Sequence, residues 1–169
     1  RLDLRSTKLS AAGLRAVGQI ASLDILLCPD CGLRDDALEG LAGLAKLQTL
    51  DLARNAIGGG GFAALSAIKG LKILNLNGAS LTGAGLAVIA QTFPALESLT
   101  LGAGSGSGAC TPADLAVLAR LKGLKHLALP VAGLDVMRLA DTCRWYAFRV
   151  ASLDDVAERT TIECETIAS

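Results

Sequence analysis

The sequence predicts an α/β fold in which one short strand and one helix alternate many times along the chain. The clearest copy of the unit spans residues 47–70, where the letters LQTLDL give the pattern L-x-x-L-x-L, typical of a short strand with one buried face. Phe62, Leu65 and Ile68 then recur at helical spacing, which predicts a helix that runs back beside the strand.

The same unit recurs at nearly constant spacing. Its central leucines are Leu2, Leu26, Leu50, Leu74, Leu99 and Leu127. The first three intervals between them are equal, the fourth is slightly longer, and the fifth is longer still. One unit cannot bury its own apolar face, so the copies have to stack. Residues 1–144 are therefore predicted to form six repeats. The expected helix N-caps are Ser10, Asp35, Thr82, Thr111 and Asp135, and Thr111, followed by Pro112, is the clearest of them.

The pattern weakens after the sixth copy. We expect residues 145–169 to form a degenerate seventh repeat and a C-terminal cap, because a terminal repeat has to present one side to water. A short helix is expected over residues 153–159. The chain also begins inside a strand pattern and without Met, so we expect it to be part of a longer protein.

Composition excludes several classes of partner. Apolar residues make up 51% of the chain but aromatic residues only 3%, so the core has to consist mainly of small aliphatic side chains. Sixteen basic residues balance 16 acidic ones, which leaves no electrostatic signal for nucleic acid. No apolar run approaches the roughly 20 residues of a membrane span. The five cysteines favour free thiols and an intracellular location, cytoplasmic or organellar, over an extracellular form with two bridges.

Residues 50–66, read as L-D-L-x-x-N-x-I-G-x-x-G-x-A-A-L-S, resemble a leucine-rich repeat of the ribonuclease-inhibitor type. They are also similar to repeats of bacterial effectors and of intracellular sensor and F-box proteins. The resemblance implies an open right-handed horseshoe solenoid, with a parallel sheet on the concave face and helices on the convex face. The family's Asn position holds Thr7, Cys31, Asn55, Ala79 and Ala132, so the usual ladder of asparagine side chains should be broken.

Two motifs could carry chemistry, and both have a simpler interpretation. Cys28-Pro29-Asp30-Cys31 could be a redox pair or half of a zinc site, but the register places both cysteines at buried repeat positions, so we expect neither a metal nor a disulfide. Residues 102–109 include a G-x-G-x-x-A pattern, but the acidic residue that a dinucleotide site needs about 20 residues later is missing. We interpret this segment as a flexible insertion and expect no cofactor.

No catalytic group is suggested by the sequence, because the single histidine, His126, has no partner at any motif spacing. The chain is therefore predicted not to be an enzyme and not to bind a small-molecule substrate. The intervening positions of L-x-x-L-x-L should point away from the core, onto the concave face. The candidate partner-binding residues there are Ile25, Leu27, Thr49, Asp51, Ile73, Asn75, Ser98, Thr100 and His126.

Apolar residues beside polar ones, without aromatic or basic stripes, favour a protein partner on this face. The alternative is that these residues are ordinary strand fillers. The preferred interpretation is a non-catalytic protein–protein interaction module, as a segment of a larger adaptor, sensor or assembly subunit. One alternative is a GTPase-activating or effector-type protein, because the family resemblance implies a possible role for the turn residue Arg54. Another is a structural subunit that uses its convex face.

Overall fold

The computed structural model describes residues 1–102 and 114–130, and the backbone of residues 146–154 and 159–166. Six parallel strands follow one another: β1 (Leu2–Asp3), β2 (Ile25–Leu27), β3 (Thr49–Asp51), β4 (Ile73–Leu76), β5 (Ser98–Leu101) and β6 (His126–Pro130). Helices lie between them: α1 (Ala11–Gly18), α2 (Gly83–Thr92), and 3₁₀ helices at Asp35–Leu41, Gly60–Leu65 and Asp114–Arg120. The alternation of parallel strands and helices confirms the predicted α/β repeat fold.

The strands pair in the register that the leucine spacing predicts. The central leucines stand opposite one another in the order Leu2, Leu26, Leu50, Leu74, Leu99 and Leu127. Leu26, Leu50, Leu74 and Leu99 are fully buried, and all of them belong to one continuous apolar core between the sheet and the helices. The two longer intervals therefore leave the strand register unchanged, since their additional residues lie between strands.

The sheet continues beyond β6 with two antiparallel strands. Strand β8 (Arg159–Thr166) pairs with β6, and β7 (Tyr146–Asp154) pairs with β8 at the outer edge. The short helix expected over residues 153–159 is wrong at both of its ends, because Leu153 and Asp154 belong to β7 and Arg159 begins β8. The boundary placed between residues 144 and 145 lies outside the described residues.

In the first four repeats, the two helices that begin with a side-chain cap are α-helices, and the two without one are 3₁₀ helices. Ser10 accepts a hydrogen bond from the Gly13 N–H and begins α1, and Thr82 accepts one from Gly85 and begins α2. The second and third repeats have no side-chain cap, and their helices are 3₁₀. A cap satisfies amide groups that the first helical turn leaves unpaired, which favours a regular α-helical start.

Asp35 does not cap its own helix, so that prediction was wrong. Its carboxylate crosses to the third repeat, where it accepts hydrogen bonds from the N–H groups of Gly58, Gly59 and Gly61 at 2.8–3.0 Å. Glycine at these positions leaves room for the contact: a Cβ on Gly61 would lie 2.2 Å from the Asp35 carbonyl oxygen. One carboxylate thus joins two neighbouring repeats on the helix side.

Candidate functional site

The nine predicted surface residues lie on one face of the sheet, opposite the buried leucines. A first row across the strands contains Ile25, Thr49, Ile73, Ser98 and His126. A second row contains Leu27, Asp51, Asn75 and Thr100. Neighbouring strands are about 4.8 Å apart, so each row is a continuous line of side chains. We call the surface formed by these nine residues the sheet face.

The apolar part of the sheet face is centred on strands β2 to β4. The Ile73 side chain is 44% exposed although it stands in the middle of the sheet, and Ile25 and Leu27 are half-buried. In the first row, Ile73 has Thr49 on one side and Ser98 on the other. The result is a small apolar area with hydroxyl groups beside it, an arrangement that resembles the centre of many protein interfaces.

Two polar side chains of the second row are oriented by their own strands. Asp51 Oδ1 accepts a hydrogen bond from the Ala53 N–H at 2.9 Å, and Asn75 Oδ1 accepts one from the Asn77 N–H at 3.0 Å. Asp and Asn are thus interchangeable in this turn contact. Both side chains have defined positions before any partner arrives, which lowers the entropy that binding would cost.

At β4, β5 and β6 the residue just before the first row is charged: Lys72, Glu97 and Lys125. Glu97 binds Lys72 at 3.2 Å and Lys125 at 2.7 Å, so three neighbouring strands are linked. The hydrogen bond from Lys125, and to a smaller extent the one from Lys72, lowers the pKa of the Glu97 carboxyl. The two lysine side chains are largely exposed and Glu97 is partly exposed, and ion pairs of this kind add little stability. Lys72, Glu97 and Lys125 thus border the sheet face with charged groups.

A family model described as "Leucine Rich repeat" matches residues 43–66, which include strand β3 and the helix that follows it. Strand β3 of the matched unit pairs with β2 and β4, and the central leucines of strands β1 to β4 are equally spaced along the chain. The chain thus contains a leucine-rich repeat, within an architecture of repeated strands and helices. A search of curated proteins finds no match to it.

Leucine-rich-repeat domains are generally protein-interaction modules and are typically non-catalytic. No helix in the part of the chain that the structure describes is long and apolar enough to cross a membrane. Among those same residues, His, Cys, Asp and Glu side chains nowhere form a group of three that could hold a metal ion.

The asparagine position of the leucine-rich repeats shows how far the ladder is broken. Asn55 is buried; its Oδ1 accepts hydrogen bonds from Cys31 and Leu33, and its Nδ2 donates to the carbonyls of Cys28, Leu52 and Ala53. One repeat earlier, the Cys31 thiol occupies the same position. Its Sγ donates to the Leu4 carbonyl at 3.0 Å, just as Asn55 Nδ2 donates to the Cys28 carbonyl. The Cys31 thiol therefore makes one of the hydrogen bonds that an asparagine would make at this position, which the sequence did not indicate.

The C-x-x-C pair is buried, as the register predicts. Cys28 and Cys31 are free thiols with 0% and 1% of their surface exposed. Burial and the neighbouring Cys31 raise the pKa of the Cys28 thiol to about 12, and burial also raises the pKa of Cys31. The thiolate is the nucleophilic form of cysteine, and burial disfavours it in both side chains at neutral pH.

The remaining candidates lie apart from the sheet face. Arg54 is exposed in the turn after β3, with a left-handed backbone (φ 56°). Ser6, Asp30 and Gly78 adopt the same conformation at the equivalent position of their own repeats, so this is a regular repeat turn. Several predictions fall outside the described residues: those for residues 103–109 of the glycine-rich segment, for the expected caps Thr111 and Asp135, and for Ala132 at the asparagine position.

Proposed function

We propose that this chain is a non-catalytic protein-binding segment of a larger adaptor, sensor or assembly subunit, and that it binds its partner through the sheet face. The observation that carries the proposal is Ile73, a large aliphatic side chain 44% exposed on a central strand. Exposing it costs free energy that a partner's apolar surface would recover.

The surroundings of Ile73 support the same function. Leu27 and Ile25 lie two strands away on the same face, and the residues between them on β3 are Thr49 and Asp51. Binding energy in protein interfaces is concentrated in a few central side chains with polar groups around them. The three aliphatic residues form such a centre, and the hydroxyl, amide and carboxylate groups beside them can form the polar surround.

The chain provides a matched control for this proposal. Ile20 is 43% exposed, nearly as much as Ile73, but it follows the end of α1 and lies off the sheet. Substitution of either residue by Asp adds one charge and removes one exposed aliphatic side chain. The two variants therefore differ mainly in where on the molecule the change is made.

The test uses the whole chain as bait for capture from cell extract, with the bound proteins identified by mass spectrometry. Leu27→Asp and Ile73→Asp should each lower capture of the same partner at least about tenfold, the loss expected for a central interface residue. Ile20→Asp should capture it normally, and all three variants should keep the wild-type circular dichroism spectrum. Normal capture by both sheet-face variants would refute the proposal.

The same variants separate the alternatives. A structural subunit that uses its helix side would lose its partner with Ile20→Asp, or with Arg15→Asp on the exposed side of α1, and keep it with the sheet-face variants. A GTPase-activating protein would lose its activity on a small GTPase with Arg54→Ala. Arg54 is exposed in a turn of defined conformation, so its side chain is accessible for this second role.

A further inference from the structure

Asp51 lies in the middle of the proposed binding surface. It stands directly beside Leu27 on one neighbouring strand and beside Asn75 on the other. Thr49 precedes it on its own strand, with Ile25 and Ile73 on either side of Thr49. The carboxylate is half-buried among these uncharged side chains.

Asp51 forms no salt bridge in the described part of the chain. Among the residues that the structure describes, its only hydrogen bond is the one that Oδ1 accepts from the Ala53 N–H, so none of those residues occupies Oδ2. The Arg5 guanidinium attracts Asp51 electrostatically, but its Nε and Nη2 donate their hydrogen bonds to Asp3, at 2.6–3.1 Å.

A partner that covers both Leu27 and Ile73 has to cover Asp51 as well, since the carboxylate lies between them. Removing a carboxylate from water without a partner group is strongly unfavourable. We propose that the bound protein segment places a lysine or arginine on Asp51 Oδ2, next to an aliphatic or aromatic residue that contacts Leu27 and Ile73. This inference rests on the proposed function and names the chemistry of the partner.

A lysine or arginine fits the site better than a neutral donor. Its methylene groups can lie against Leu27 and Ile73 while its charged end reaches the carboxylate. A charge-assisted hydrogen bond is also about twice as strong as a neutral one. The neighbouring Asn75 carries no charge, so the attraction for a cation is centred on β3.

The equivalent residue of the next repeat, Asn75, suggests a substitution that removes only the charge of Asp51. Asn75 forms with Asn77 the same turn contact that Asp51 forms with Ala53, so Asp51→Asn keeps the hydrogen bond and the shape of the strand end. Asn75→Asp makes the opposite change on the next strand. Asp36→Asn, at an exposed residue on the helix side, is the control for the loss of one negative charge.

The experiment selects short random peptides displayed on phage against the wild-type chain, then measures the enriched peptides as synthetic, fluorescent probes. They should carry an excess of lysine or arginine beside aliphatic or aromatic residues. Asp51→Asn should weaken their binding about tenfold and reduce its dependence on salt, as expected for the loss of a charged hydrogen bond. Asp36→Asn should bind like wild type, and Asn75→Asp should bind more tightly at low salt.

Each other outcome is decisive. Peptides without a basic excess, equal binding to wild type and Asp51→Asn, or no enriched peptide at all would overturn the assignment of a basic partner residue. If Leu27→Asp and Ile73→Asp abolish binding while Asp51→Asn does not, the sheet face is the binding site but the charge contact is wrong. If neither aliphatic variant affects binding, the proposed function fails as well.

Discussion

Replacement of Asn55 by alanine tests how the third repeat is joined to the second. The side chain is 3% exposed and forms five hydrogen bonds of 2.8–3.2 Å. Three of its bonds reach residues of the preceding repeat, namely Cys28, Cys31 and Leu33. Alanine would leave these buried backbone groups without a protein partner.

The expected loss follows from the number of hydrogen-bonding positions. The Asn55 amide has two N–H hydrogens, which three carbonyl groups share, and an oxygen that accepts two bonds. Four such bonds at about 1 kcal/mol each predict that Asn55→Ala lowers the free energy of unfolding by about 4 kcal/mol. This is a large part of the roughly 5–15 kcal/mol that stabilises a typical domain.

Urea denaturation followed by circular dichroism measures this loss. Gln48→Ala, at an exposed position just before β3, is the control and should change stability by less than about 0.5 kcal/mol. A loss below about 1 kcal/mol for Asn55→Ala would show that water or a backbone shift satisfies the freed groups. The hydrogen bonds seen here would then not be what joins the two repeats.

Two further predictions concern close packing and thiol reactivity. A Cβ on Gly18 would lie 1.9 Å from the Gly40 carbonyl oxygen, so Gly18→Ala should destabilise the chain by about 1–3 kcal/mol in thermal unfolding. Gly60 has open space around it, so Gly60→Ala should instead stabilise the chain by about 0.5 kcal/mol. Equal effects of the two substitutions would contradict the packing between the helices. Cys28 and Cys31 should resist iodoacetamide at neutral pH in the folded chain and react fully in denaturant, because burial raises both pKa values, that of Cys28 to about 12. Rapid alkylation of Cys28 in the folded chain, measured by mass spectrometry, would contradict this.

The leucine spacing was sufficient to predict the strand register. Leu26, Leu50 and Leu74 repeat at a fixed interval, and each strand can bury its leucines only if it aligns with the next. The direction of the exposed side chains follows from that alignment, so the sheet face could be predicted too. The buried positions of Cys28 and Cys31 follow for the same reason.

Contacts between different repeats could not be predicted in the same way. The Asp35 carboxylate binds glycines of the following repeat, and no local pattern distinguishes this from a cap on its own helix. Helix type was also missed, because side-chain capping differs between repeats that share one leucine pattern. Ile20 keeps helical spacing with Leu14 and Val17, but α1 ends at Gly18, and Ile20 is left 43% exposed.

The charge on the sheet face was visible in the sequence, but its environment was not. Asp51 could be placed on the exposed side of β3 from the pattern alone. That its carboxylate has one turn hydrogen bond and no salt bridge among the described residues depends on where Arg5 and Asp3 lie, two strands away. The inference of a basic partner residue therefore needed the structure.

Hydroxyl-radical footprinting of the chain with and without its captured partner tests the central claim most directly. Ile73 and Ile20 have nearly equal exposure, 44% and 43%, so they should be oxidised at similar rates in the free chain. We predict that the partner protects Ile73, together with Leu27, and leaves Ile20 as reactive as before. Protection of Ile20 with unchanged oxidation of Ile73 would place the partner on the helix side and contradict the account.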